Sequence, residues 1–511
     1  MIHRMAKSFY LTTTLPYVNA DPHIGFALEI VQADIIARYL HAMGDDVFFN
    51  TGTDEHGLKI FRKAQEEKKE PQAYVDEYAA KFKKLKEKLN LYPDLHFIRT
   101  TDQHHKAAAQ ELWRQCAAAG DVYKRKYKGL YCVGDEVFLK ETELVDGKCP
   151  NHPTMTPIEI EEENYFFRLS AYQGKLLEYL KQPGVIIPEW RRQEAIQFVE
   201  RGLEDFSISR DRSRMNWGVP VPDDDGQTMY VWFDALTNYI STLGWPEDTE
   251  GLFKKFWVEG ETLQMAGKDQ VRFQSIMWQA MLMSAGLPTT KQVIYHGFIT
   301  SGGQKMSKSV GNVIDPYAIV EEYGADALRY FLARHVHPFE DSDVTMERFK
   351  DVYNADLANG LGNLVSRVMK MAVDAGIKAR DTDLKLLDDR VRFLEQAQFL
   401  SEYRADKAVE AIWSLVETAN IFIQTSEPFK TIRTDRAKAE TDIKTALYYL
   451  IEIAIKLRPF IPDAAKMIED AIRNSRKPNN LFPRKEVKPM TITVPKKKKK
   501  KRSGFDIFPS E

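Results

Sequence analysis

The feature that most constrains the fold is the alternation of strand and helix with which the chain begins. Phe9 to Leu15 reads as a buried strand, Pro16, Asn19, Asp21 and Pro22 mark a loop, and Ala27 to Met43 repeats its apolar residues with helical period. Asp46 to Asn50 reads as a second strand, followed by a glycine-bearing loop, Thr51 to Gly57, and charged helices as far as Asn90. Strands alternating with helices build a parallel sheet, so the start of the chain predicts an α/β fold.

At 511 residues the chain exceeds what one core organises, and length alone predicts about three or four structural units. From Tyr123 to about Arg214 the alternation gives way to Gly, Pro, short β-like runs and a Cys/His cluster, which predicts an inserted module. The α/β pattern then returns, with strands predicted at Met229 to Phe233 and Gln292 to His296 flanking a helix that begins near Asp269. Beyond Asn354 apolar residues recur at three- and four-residue spacing to about Asn474, which predicts a separate helical domain. Lys496 to Arg502 is an unbroken basic run of the kind that repels itself and stays disordered.

Lys+Arg number 72 and Asp+Glu 74, so any contact with nucleic acid must come from local basic patches and not from bulk charge. Cys116, Cys132 and Cys149 are too few, and odd in number, for a disulfide framework, which points to a reducing, cytoplasmic setting. No stretch approaches the ~18 apolar residues of a membrane span.

Two short segments concentrate the chemistry. Pro22-His23-Ile24-Gly25-Phe26 stands between the first strand and the first helix, where unpaired backbone N–H groups and a glycine suit a phosphate or an adenine. Taken alone, an ordinary loop is the commoner reading of that segment. Gly302-Gly303-Gln304-Lys305-Met306-Ser307-Lys308-Ser309 joins a flexible glycine pair to two lysines, which can close over a polyphosphate and offset charge on a leaving pyrophosphate. The alternative there is a solvated basic loop. Neither a G-x-x-x-x-G-K-[ST] phosphate loop nor a G-x-G-x-x-G fingerprint occurs.

This pair of segments resembles the signature pair of the class I aminoacyl-tRNA synthetases. Leu15-Pro16-Tyr17, Thr53-Asp54-Glu55-His56-Gly57, Val231-Trp232-Phe233-Asp234-Ala235 and Gly267-Lys268-Asp269 resemble the methionyl branch of that family, with likeness from about Phe9 to about Arg484. The resemblance implies a Rossmann-like parallel sheet split by a connective insertion and followed by an all-α anticodon-binding domain. It implies a methionine–tRNA ligase that activates L-methionine with ATP and transfers it to tRNA(Met), releasing AMP and pyrophosphate. His23, Gly25, Lys305, Ser307 and Lys308 would then serve ATP, with His23, Lys305 and Lys308 the catalytic side chains. Magnesium would arrive with ATP, bridging its phosphates.

For the amino acid, the resemblance implies Asp54 opposite the ammonium, and Leu15, Tyr17, Trp232, Ala235, Tyr239 and Gln274 around the side chain. A thioether packs well on aromatic edges. Plain core packing is the default for Trp232 and Tyr239 without the surrounding motif. The insertion is too small to hold the editing domain that isoleucyl and valyl enzymes need.

Cys132-x-x-Asp135 and Cys149-Pro150-Asn151-His152 resemble the family's zinc knuckle, with an aspartate where a cysteine is frequent; a metal-free knuckle is the alternative. Asn363 and Arg367, four apart on one helical face, and Phe429, in place of the family's tryptophan, would meet the anticodon. Phe26 and Gln274 stand where the family has histidines, and Leu236 where it has a proline. These readings divide the chain into a first catalytic half (1–120), a connective insertion with the knuckle (121–228) and a second catalytic half (229–300). A stem-contact region with the lysine loop (301–353), an anticodon domain (354–490) and a basic tail (491–511) follow. A monomer is expected. Two rivals remain open in the sequence: activation of another amino acid, because of Gln274, and a non-catalytic RNA-binding paralogue.

Overall fold

The computed structural model describes residues 6–133, 137–150, 155–306, 312–388 and 394–485. In chain order, β1 (Ser8–Thr12), α1 (Ile24–Ala42), β2 (Asp46–Thr53), α2 (Pro71–Lys88), β3 (His96–Arg99) and α3 (Gln103–Ala118) realise the predicted alternation. β1 buries Tyr10 and Leu11 completely, and α1 is buried on nearly every side because helices and the sheet enclose it. β4 (Val122–Cys132) and β5 (Ile158–Phe167) then pair antiparallel from Val122↔Phe167 to Tyr131↔Ile158 and form the inserted module.

The chain returns to the central sheet earlier than the sequence suggests. β6 (Ile186–Ile187), inside the segment read as insertion, is an edge strand of that sheet, and α4 (Glu189–Glu200) follows it. The strand predicted at Met229 to Phe233 is absent. Residues Asp224–Met229 belong instead to a small antiparallel sheet, and α5 (Val231–Leu236) starts directly after Tyr230. A short run of aromatic and β-branched residues suits a strand or a buried helix equally, and here tertiary contacts choose the helix. The strand that precedes the Asp269 helix is β7 (Glu261–Gly267), and β8 (Gln292–His296) comes where expected.

The sheet runs β3-β2-β1-β7-β8-β6, all parallel, with Phe9 to Thr12 against Glu261 to Gln264. The strand order therefore reverses between β1 and β7, and the loops leaving their carboxyl ends open a crevice of the kind in which parallel α/β folds bind ligands. α6 (Ala325–Arg334) leads to the helical region, of which α7 (Asn363–Ala375), α8 (Ala405–Ser426), α9 (Pro428–Thr431), α10 (Arg436–Leu457) and α11 (Pro462–Arg473) are the main helices. One apolar core runs from α1 through α6 into α10 and α11. Across that junction the fully buried Arg329 donates to Asp34 Oδ2 at 2.6 Å and to the carbonyl of Phe460 at 2.8 Å.

Candidate active site

His23 caps α1, its Nδ1 accepting the Gly25 N–H at 3.0 Å, so the ring stands exposed over the first turn. A Cβ on residue 25 would lie 2.8 Å from His23 Cε1, so this position of the ring requires glycine. The Ile24 N–H donates to the Ile314 carbonyl at 3.0 Å, and the Met306 methyl reaches within 4.0 Å of where that Cβ would be. Chain on both sides of the second lysine thus meets the start of α1. Lys305 lies in the short strand Gln304–Lys305, while Ser307 and Lys308 fall outside the described residues. Phe26 turns into the core, edge-on to Phe82 at 5.3 Å.

The loop after β1 and the end of β2 are bound to each other through backbone. Asp54 N–H donates to Pro16 O at 3.0 Å and Val18 N–H to Asp54 O at 3.2 Å, which sets Tyr17 beside the buried Asp54. Leu15 is half-buried in the same loop. On α5, half-buried Trp232 stacks on Phe273 with centroids 3.9 Å apart and an interplanar angle of 12°, and Ala235 is buried. Gln274 Nε2 donates to the Tyr239 hydroxyl at 2.5 Å, both side chains being almost fully buried. Gln274 Oε1 is buried with no hydrogen-bond partner among the described residues.

Two buried networks that the sequence did not single out hold these walls together. Asp234, between Trp232 and Ala235, accepts from His56 Nδ1 at 2.6 Å and from His105 Nε2 at 2.8 Å. Burial alone would raise the Asp234 pKa, but the two imidazoles outweigh it and hold the carboxyl at about 2. Glu29 accepts from the Thr14 N–H at 2.6 Å and pairs with His296 Nε2 at 2.8 Å, while His296 Nδ1 donates to Gly297 O. Burial disfavours the His296 imidazolium, yet the hydrogen bond and charge of Glu29 prevail and raise its pKa. Both partners of that ring are acceptors, which favours the doubly protonated form. A carboxylate on an enclosed helix was the available signal for Glu29; nothing in the sequence pairs His105 with Asp234.

Asn363 is exposed and Arg367 half-buried on α7, and Phe429 is 45% exposed on α9; both helices pack against α10. Cys132 and Cys149 are both buried, whereas Asp135 and His152 lie outside the described residues. Among the described residues no three or more His, Cys, Asp or Glu side chains gather as a metal site. No helix among them is long and apolar enough to cross a membrane.

The profile of the family described as "tRNA synthetases class I (M)" matches residues 9–157 and 152–369, which takes in the sheet and both signature segments. The chain belongs to the methionyl-tRNA synthetases. The profile "Anticodon binding domain of methionyl tRNA ligase" matches residues 374–497, within the helical region and beyond. The Methionine--tRNA ligase of Brucella suis biovar 1 is 42% identical over 478 residues, 91% of this chain and 92% of that one. The Methionine--tRNA ligase of Thermosynechococcus vestitus is 42% identical over 483 residues, 91% and 90% of the two chains. The structure of Mycobacterium tuberculosis methionyl-tRNA synthetase in complex with methionyl-adenylate superposes with a TM-score of 0.84 and 39% identity, covering 93% of this chain and 98% of that one. As a methionyl-tRNA synthetase the chain is a methionine–tRNA ligase, an enzyme of protein biosynthesis that spends ATP to esterify tRNA with methionine.

Proposed function

We propose that methionine and ATP meet in the crevice between β1 and β7, and that the residues lining it divide the work as follows. The methionine ammonium faces Asp54, and the side chain lies among Leu15, Tyr17, Trp232, Ala235, Tyr239 and Gln274. ATP lies against the start of α1, with His23, the backbone at Gly25, and Lys305, Ser307 and Lys308 around its phosphates. Magnesium accompanies the nucleotide as part of the substrate. A methionine carboxylate oxygen attacks the α-phosphate and pyrophosphate leaves; the enzyme positions the partners and offsets developing charge, so no covalent nucleophile on the protein is needed. A ribose hydroxyl at the tRNA 3′ end then attacks the methionyl carbonyl and AMP leaves.

The observation that supports this reading best is the Ile24–Ile314 backbone bond, together with the Met306 methyl 4.0 Å from where a Cβ on residue 25 would stand, which brings the two signature segments together at the start of α1. We assign Asn363, Arg367 and Phe429 to the anticodon of tRNA(Met), an amide, a guanidinium and an exposed ring being suited to unpaired bases. Cys132 and Cys149, with Asp135 and His152, would hold a zinc ion, two buried thiols being a fitting half of such a set; the ion would clamp the knuckle and take no part in the chemistry. The division at residues 120, 300, 353 and 490, with the return to the catalytic sheet placed at β6 instead of at residue 228, cytoplasmic location and a monomeric state belong to the same reading.

The test is exchange of labelled pyrophosphate into ATP, with magnesium and each of the twenty amino acids in turn. Exchange with methionine alone is expected. Exchange driven by another amino acid would overturn the pocket assignment, and no exchange in folded protein that binds tRNA would favour the non-catalytic paralogue.

A further inference from the structure

α4 leaves the edge strand β6 and packs against the helical turn Phe273–Met277, which follows the carboxyl end of β7, with two large rings turned to solvent. Trp190 is 48% exposed and Phe198 is 38% exposed, and Phe429 on α9 is exposed likewise. The two are eight residues apart, so their side chains lie within ~80° of one another around the helix and ~12 Å apart along it. The Arg272 guanidinium stands 5.7 Å from the Phe198 ring centroid, and Arg272 is two residues before Gln274 and three after Asp269. At the other end, Trp190 meets Phe339 edge-on at 6.3 Å, near the Lys268–Asp341 ion pair (2.7 Å). Glu194, between the two rings, has its charge offset by Arg191 at 2.5 Å.

Each ring is covered on one side, Trp190 by Phe339 and Phe198 by Arg272, and still leaves apolar area open to solvent on the same helix. An exposed ring beside an arginine, as Phe198 is beside Arg272, is a surface on which unpaired bases stack, whatever their sequence. At ~3.4 Å per stacked base, ~12 Å of helix spans about three nucleotides. We propose that the Trp190–Phe198 face of α4, with Arg272, is the platform on which the unpaired 3′ end of the tRNA lies as it enters the crevice. This rests on the ligase reaction, which requires that end to reach the carboxyl edge of β7, and it adds the surface that guides it there.

The experiment compares wild type with Phe198→Ala, Trp190→Ala and Phe198→Trp in the full-length enzyme. Pyrophosphate exchange reads methionine activation, aminoacylation reads transfer, and binding is measured for intact tRNA and for tRNA trimmed of its last three nucleotides. Both alanine variants are expected to keep exchange, to lose about tenfold in aminoacylation efficiency, and to lose affinity for intact but not trimmed tRNA. Phe198→Trp should charge like wild type. Unchanged aminoacylation in both alanine variants would overturn the platform, as would equal losses on intact and trimmed tRNA or a parallel loss of exchange. Absence of methionine-dependent exchange in wild type would instead overturn the proposed chemistry of the crevice.

Discussion

Asp234 accepts a hydrogen bond from His56 Nδ1 at 2.6 Å, and neither residue is accessible to solvent beyond 2%. This contact fastens the turn that bears Asp54 to the helix that bears Trp232 and Ala235, so the polar and apolar walls of the crevice cannot move independently. The second oxygen is taken by His105, whose Nδ1 lies 2.9 Å from the Ser241 hydroxyl. In the proposed methionine pocket Asp234 is thus a positioning residue, buried behind Trp232 and Ala235 and engaged by two imidazoles.

Asp234→Asn should therefore weaken both stability and methionine binding. The amide replaces an acceptor with a donor opposite an N–H, leaving a buried group unpaired at a cost of about 1–3 kcal/mol. The sign of the pH effect follows from a folded pKa of about 2 against the ordinary aspartate value of 3.8. The ionised carboxylate contributes about 2 kcal/mol above pH ~4, and this is lost as pH falls through ~2. Urea midpoints between pH 6 and pH 2 should converge for wild type and variant toward the acid end; parallel curves would refute it.

Gly25→Ala should damage ATP use and spare the fold. The new methyl would meet His23 Cε1 at 2.8 Å, and the exposed ring can swing away, so the strain is relieved by moving His23 off the first turn of α1. Misplacing a positioning group by about 1 Å costs on the order of 10²-fold in rate. Exchange kinetics should show that loss with an unchanged melting profile. An active variant would mean that His23 need not cap the helix.

Gln274→Leu removes the donor to the Tyr239 hydroxyl, a bond of 2.5 Å between two buried groups. Without that bond the Tyr239 ring is free to shift within the proposed pocket, so KM for methionine should rise about tenfold while KM for ATP stays put. Equal changes in both constants would place Gln274 outside the methionine pocket.

Arg329→Met tests the junction between the sheet domain and the helical region. Asp34 is fully buried; without Arg329 its charge is left to Arg38 alone (2.8 Å), and the carbonyls of Pro459 and Phe460 lose their guanidinium donor, at a cost toward the lower end of about 3–5 kcal/mol. The urea midpoint should drop well below that of an exposed control such as Lys370→Met, whose ion pair with Asp374 lies in solvent.

Much of this enzyme was legible in one sequence. The alternation from Phe9 to Asn90 and the helical period beyond Asn354 determined an α/β sheet and a helical domain, because periodicity records which face of each element is buried. The segments around His23–Gly25 and Lys305–Met306 carried the family likeness in the sequence, and the structure brings Ile24 and Ile314, which flank them, within one backbone hydrogen bond. Tertiary structure alone decided that Val231 to Phe233 is helix and not strand, that Ile186–Ile187 closes an edge of the central sheet, and that β7 lies beside β1. It alone paired Asp234 with His56 and His105, and Glu29 with His296, across up to 267 residues of chain. Such pairings leave no local signature, since a buried carboxylate and an imidazole choose each other by satisfying charge and hydrogen bonds in space, wherever the backbone brings them together.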